Sequence, residues 1–183
     1  MKNEATPETE TAKHTTWKVD PAHSEIGFRV RHMMISTVSG SFEEFDATIE
    51  SADETFKNAK FSFSAKISSI STKNKDRDTQ LKSDDFFNAE EFSTLSFESK
   101  SFDGETMVGD LTIRDVTKEI SLQVEFHGIA EDTYGQTKAG FEATGSLNRK
   151  DFHLNWNAIT EAGNVVVSDK VNLIINCQFI KQQ

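Results

Sequence analysis

Apolar and polar residues alternate along most of this chain with a period of two. In the stretch "EIGFRVRH", Ile26, Phe28, Val30 and His32 fall on one face, and Glu25, Gly27, Arg29 and Arg31 on the other. Successive side chains of a strand point to opposite sides, so the pattern predicts a strand with one buried face. After "MMIS" it resumes: Val38, Gly40 and Phe42 share a face, and then Phe45, Ala47 and Ile49 do. The phase slips at the intervening "EE", which predicts a β-bulge. Further runs group Phe61, Phe63, Ala65 and Ile67; Leu95 and Phe97; Met107, Gly109, Leu111 and Ile113; and Ile120, Leu122, Val124 and Phe126. Ala139, Phe141, Ala143, Gly145 and Leu147, and then alternate residues from Val171 to Phe179, complete the set. One apolar and one wet face per run predicts about eight strands of antiparallel character.

One region departs from this rule. "TKNKDRDTQLKSDDFFNAEEF", residues 72–92, lacks alternation and offers Thr72 and Ser83 as helix caps. It predicts one or two short helices with Leu81, Phe86 and Phe87 facing inward. No segment is long enough to lay a helical layer over an open sheet. The strands must therefore bury their apolar faces against one another, in a sandwich or a closed barrel. Closure removes exposed edges and favours the barrel. Gly40, Gly109, Gly140 and Gly145 are expected to let strands bend at its corners. The expected fold class is all-β, an extended eight-stranded antiparallel barrel with one or two short helices. Residues 1–16 are polar, Thr/Glu-rich and without period, which predicts a disordered tail and leaves 17–183 as one domain.

Composition sharpens the picture of the interior. The chain has 15 Phe against 2 Trp and 1 Tyr. Phe adds apolar area without a polar group that needs a partner, which suits a dry core or an apolar cavity. The net charge of −10 argues against nucleic acid, because no basic block is present to displace phosphate counterions. Anionic membrane surfaces are disfavoured on the same ground. Cys177 is the one cysteine, so no internal disulfide or multi-thiolate metal site is expected, and its place in the β-pattern predicts a buried structural thiol. No apolar run is long enough to span a bilayer. The segment "MKNEATPETETAKHTT" lacks the apolar core of a secretory signal, so a cytoplasmic location is expected, with the periplasm as the alternative if the chain was trimmed.

The reactive-looking residues point to little chemistry. His23 adjoins Ser24, but neighbours on a strand face opposite ways, so adjacency makes no nucleophile–base pair. No G-x-S-x-G elbow occurs. Asp20 and His23 are read as fixing the chain where it enters the first long strand, with a ligand-headgroup contact at the barrel mouth as the alternative. His32 is read as half-buried and satisfied by backbone. His14, His23, His32, His127 and His153 show no helical metal-ligand spacing, so no metal is expected. Arg77 and Asp78 form either a solvated helical turn with an ion pair of small worth, or a site where Arg77 leans over the opening as a fork for phosphate or carbonyl oxygen. Arg149 and Asp151, at a strand end in "LNRKDFHLNW", are read as a structural pair. Paired carboxylates for acid–base work and phosphate-cradling glycine loops are absent, and no enzyme is expected.

Four motifs occur in order over residues 17–180: "WKVDPAHSEIGFRVRHMMISTVSGSFEEF", "STKNKDRDTQLKSDDFFNAEEF", "GDLTIRDVTKEISLQVEF" and "NRKDFHLNW…VSDKVNL". In these the chain closely resembles the YceI-like family of lipocalin-like, polyisoprenoid-binding proteins. The resemblance implies a lipocalin-like barrel that holds an isoprenoid lipid, such as an isoprenoid quinone or prenyl phosphate, in an apolar interior. It also implies a barrel that in the family is often a dimer, so that a homodimer is one expected state, with no established catalysis and no required cofactor beyond the bound lipid. It reaches Asp20, His23 and Ser24, then Arg77 and Asp78, then Asn148, Arg149 and Asp151. Two positions depart from the family pattern: Asp115 stands where "LTIRG" has Gly, and His153 where "DFG" has Gly. A non-glycine residue at either place is strained if the turn needs positive φ.

The residues themselves agree with that expectation. A strand of ten residues runs roughly 33 Å, enough to sheathe an extended tail. Each buried CH₂ contributes about 0.8 kcal/mol, offset in part by ordering the tail. Expected pocket residues are Phe28, Val30, Phe42, Phe61, Phe63, Leu111, Ile113, Leu122, Val124 and Phe141, with His23, Arg77 and Arg149 as headgroup candidates. Two other readings stand beside the lipid carrier: an enzyme or redox partner acting on a bound quinone or lipid, and a barrel packed solid by its own Phe rings.

Overall fold

A computed structural model describes residues 14–155 and 167–183 of the chain. Most of the tail assigned to residues 1–16 lies outside the described residues. Thr15 and Thr16 do not belong to a tail: they begin β1 (Thr15–Val19), where Thr16 pairs with Glu50.

The strands follow in chain order as β2 (Glu25–His32), β3 (Ser36–Phe42), β4 (Phe45–Ser51), β5 (Lys60–Lys66) and the short β6 (Ile70–Ser71). Helix α1 (Lys75–Lys82) precedes β7 (Thr94–Phe102), β8 (Thr106–Ile113), β9 (Val116–Glu131), β10 (Thr137–Asn148) and β11 (Val167–Lys181). β1 and β2 form one long strand kinked at Pro21–His23, and β3 and β4 form another, interrupted at Glu43 and Glu44 as the "EE" phase slip predicts. The first pair runs against the second from Thr15↔Ser51 to His32↔Ser36. Each later barrel strand pairs antiparallel with its predecessor. β11 then returns to both β2 (Leu173↔Phe28) and β1 (Val19↔Phe179). The result is a closed eight-stranded antiparallel barrel; along β3 only Ser41 and Phe42 gain a second partner, in β6, and β10 beyond Thr144 pairs with β11 alone.

The two ends of the barrel are built differently. At one end lie α1, the β2–β3 turn, the β8–β9 turn and a 3₁₀ turn over Arg149–Phe152. At the far end the β4–β5 loop folds Phe56 inward. Phe56 is fully buried, with its ring 5.2 Å from Trp17, 5.1 Å from Phe126 and 5.1 Å from Phe141. It carries a φ of 60°, a left-handed conformation costly for an aromatic residue and held in place by the three surrounding rings.

Several local expectations are corrected. The N-cap of α1 is Asn74, whose side chain accepts from the Arg77 N–H. Thr72 instead spends its hydroxyl on Asp78 at 2.5 Å, whereas Ser83 does cap α1, at its C-terminus. The expected corner glycines serve as gaps. A Cβ on Gly40 would lie 2.4 Å from the Phe28 ring, one on Gly109 2.5 Å from the Phe97 ring, and one on Gly145 2.7 Å from Leu122. Gly140 borders the β9–β10 bulge, whose positive φ falls on Gly128. At the β8–β9 turn the positive φ (56°) sits on Arg114, not on Asp115. His153 does adopt positive φ, ending the 3₁₀ turn at φ 60°, ψ 24°.

Candidate functional site

Because inward-facing residues recur at every second position, each strand contributes a row of apolar side chains to the interior. These rows do not fill it. A cavity of about 240 Å³ remains between the Phe56 plug and the end carrying α1. All ten apolar residues named from the sequence line it, from Phe28 and Val30 on β2 to Phe141 on β10. Leu81 of α1 joins them, together with Phe86 and Phe87 in the segment that follows. Phe87 meets Phe42 edge-on with ring centroids 6.3 Å apart. Residues 75–92 therefore cover that end of the cavity. Arg114 holds this cover in place, donating to the Phe86 carbonyl at 3.1 Å and the His153 carbonyl at 3.2 Å while lying 5.7 Å from the Phe92 ring. The sequence reading passed over Arg114, because its role depends on three segments far apart in the chain.

The three polar candidates separate. Arg149 is 3% exposed and borders the cavity. Its guanidinium donates to the carbonyls of Leu154, Val167 and Ser168. Its carboxylate neighbour is Asp169 on β11 at 3.7 Å, in place of the expected Asp151. Burial lowers its pKa and Asp169 opposes that shift; the fork is directed at backbone. Arg77 does not reach the cavity: Nε donates to the Thr72 hydroxyl and Nη2 to the Thr72 carbonyl, both at 2.8 Å. His23 is exposed and lies off the cavity, with Nδ1 2.7 Å from Asp20. Asp20 caps the kink by accepting from the Ala22 N–H at 3.2 Å, so the pair fixes the chain between β1 and β2.

Cys177 also lines the cavity. Burial pushes its thiol up to about 11, with a hydrogen bond from Ser24 opposing the shift. It is therefore a neutral apolar wall group at neutral pH. His32 is half-buried and is absent from the lining. On the outer wall, Glu125, His127 and Glu142 bring ligand atoms within 4.8 Å of one another and could hold a cation. This trio, with Glu125 and His127 exposed and Glu142 half-buried, crosses two strands, which is why histidine spacing along the chain does not reveal it. The cavity thus offers a dry, shaped apolar volume, and what it can do is enclose an apolar molecule.

Comparison with known proteins agrees with this geometry. The YceI-like domain matches residues 17–179. The chain belongs to the YceI-like family. UPF0312 protein SA2479 of Staphylococcus aureus is 38% identical over 166 residues, spanning 90% of this chain and 97% of that protein. The crystal structure of the Campylobacter jejuni YCEI protein is 33% identical, with a TM-score of 0.69, over 84% of this chain and 90% of that one. A polyisoprenoid binding domain from Saccharophagus degradans shares the fold at 13% identity, with a TM-score of 0.68 over 91% of this chain and 98% of that one. Within this YceI-like barrel no described helix is long and apolar enough to cross a membrane.

Proposed function

We propose that the protein binds, stores or transports a long-chain isoprenoid lipid of the quinone or prenyl phosphate type, with the tail inside the barrel. The observation that carries this reading is the cavity, enclosed by Phe, Leu, Ile and Val side chains and left open despite 15 Phe in the chain. An unfilled apolar volume forfeits dispersion contacts and is costly in a close-packed interior. A hydrocarbon guest restores those contacts. Isoprenoid chains suit it because methyl branches pack between ring faces without needing polar partners. The name of the Saccharophagus degradans domain supports the same class of ligand.

Recognition on this reading rests on the tail. Arg149 is spent on backbone carbonyls, and Arg77 and His23 lie away from the cavity. Headgroup discrimination is therefore weak. Among the described residues, none bordering the cavity is arranged as a nucleophile with its base, which favours a carrier over an enzyme.

The test is organic extraction of protein purified from cells, followed by mass spectrometry, together with uptake of a quinone and a prenyl phosphate by stripped protein. Co-purifying isoprenoid, or uptake at about one chain per barrel, is expected. An empty barrel that takes up neither probe would overturn the proposal.

A further inference from the structure

Four large apolar side chains are exposed among the described residues, and three are consecutive: Met33 (39%), Met34 (57%) and Ile35 (80%). They form the β2–β3 turn, closed by the Ile35 N–H donating to the His32 carbonyl at 3.2 Å. Met33 and Met34 have φ of 51° and 60°. These are the positive angles of a type I′ turn, where Asn-Gly is strongly preferred and unbranched apolar residues are strained. The chain therefore places methionines where they strain the turn and face solvent.

The charge around this tip is also unusual for the molecule. Residues 26–42 contain Arg29, Arg31 and His32 and no acidic residue, in a chain with 30 Asp and Glu. Arg29 and Arg31 are exposed on the outer face of β2. They face Ser39 and Thr37 on β3, and Arg29 faces Asn172 on β11. The nearby Asp169 is held by Lys150 at 3.4 Å and Arg149 at 3.7 Å, and Lys170 beside it is exposed. The net charge of −10 thus conceals a basic strip of Arg29, Arg31 and Lys170 behind the apolar tip, while the exposed Asp115 and Asp151 at this end lie on the neighbouring β8–β9 and 3₁₀ turns.

We propose that this hairpin tip docks the barrel onto a bilayer carrying anionic headgroups, a surface that the whole-chain charge had argued against. Apolar interfacial segments enter a bilayer by about 5–10 Å. At roughly 3.4 Å per residue along a strand, Arg31 sits about 7 Å behind Met33, at the depth of the phosphates. The same end of the barrel approaches the cavity: Phe28 and Val30 on the inner face of β2 line it, as does Val167 opposite His32. Docking there gives a lipid tail a short apolar path between bilayer and barrel, a role that rests on the carrier reading above.

Flotation with phosphatidylcholine vesicles, and with vesicles about one-third phosphatidylglycerol, tests the docking. The protein is expected to float preferentially with the anionic vesicles and to be released as salt rises. The double variant Met33→Asn, Met34→Gly supplies the residues a type I′ turn favours, so it should melt no lower than the parent. It should nevertheless lose about tenfold or more in vesicle affinity. Arg29→Gln with Arg31→Gln should erase the preference for phosphatidylglycerol. The proposal is overturned if the parent floats with neither vesicle, if the turn variant floats equally well, or if the tip instead joins two copies, seen as a dimer that the turn variant dissolves. Vesicle binding is read on stripped protein, so protein that floats yet takes up neither the quinone nor the prenyl phosphate would overturn lipid carriage and leave the docking standing.

Discussion

The Lys138 ammonium lies 2.9 Å from the Asp20 carboxylate, joining β10 to the kink between β1 and β2. Both side chains are mostly shielded from solvent, and Lys138 also reaches Asp132 at 3.4 Å. This contact pins the point where the long first strand leaves β1, paired with β4, and enters β2, paired with β3. Lys138 holds the Asp20 carboxyl below its ordinary value of 3.8; burial opposes the shift, and His23 adds to it.

A depressed carboxyl pKa contributes stability that is present above its unfolded value and lost as pH falls through the folded one. Thermal stability should therefore decline as pH drops below about 4. Lys138, raised by Asp20, adds a contribution that is lost only at pH above its ordinary 10.5. Asp20→Asn should lower the melting temperature at pH 7 and flatten the acid limb. Melting curves across pH for parent and variant measure both effects, and parallel acid limbs would contradict the assignment.

Phe56→Ala should cost about 3–5 kcal/mol, the range for removing a buried aromatic ring. The variant exposes Trp17 and Phe141 to the void it leaves, so it should also enlarge the cavity at the far end. Denaturant unfolding gives the first quantity and the chain length of retained lipid the second.

Gly40 and Gly109 should respond differently to alanine. The Gly40 Cβ would strike the end of the Phe28 ring, a side chain able to turn, whereas the Gly109 Cβ would also lie 2.5 Å from the Glu98 carbonyl oxygen. Backbone cannot yield so readily. Gly109→Ala should cost about 1–3 kcal/mol, and Gly40→Ala less, while pushing Phe28 into the cavity and reducing lipid uptake. Equal stability losses would sink this distinction.

Arg149→Lys should destabilise the protein by about 3 kcal/mol, because one ammonium cannot serve the carbonyls the fork now reaches and leaves buried acceptors unpaired. Below its lowered melting point the variant should still retain neutral lipid. Loss of lipid without loss of stability would instead assign the guanidinium to the headgroup.

Strand number, the Glu43–Glu44 interruption and the cavity wall were legible in the sequence because strand periodicity assigns each residue to a face without reference to its partners. Phe28, Phe63, Leu111 and Val124 could be placed inward on that ground alone. The polar groups could not be assigned so directly. Whether Arg149 pairs with Asp151 or Asp169 depends on how β11 returns beside β10, a relation between residues separated in sequence. The sequence left Arg77 either in a helical-turn ion pair with Asp78 or as a fork over the opening, and the structure turns both side chains onto Thr72. The helix cap moved from Thr72 to Asn74 because Thr72 was engaged by Asp78.

What the sequence determined by itself was the sidedness of each strand, and with it a closed β-structure with a greasy inside, since alternation is a local property of the backbone. The tertiary structure alone decided that the inside stays hollow, that Phe56 stops one end and residues 75–92 cover the other, and that the methionine turn projects beside that cover. Those outcomes depend on strand register, on the glycine gaps that receive facing rings, and on loops crossing the barrel ends. All of these are set by contacts between distant parts of the chain.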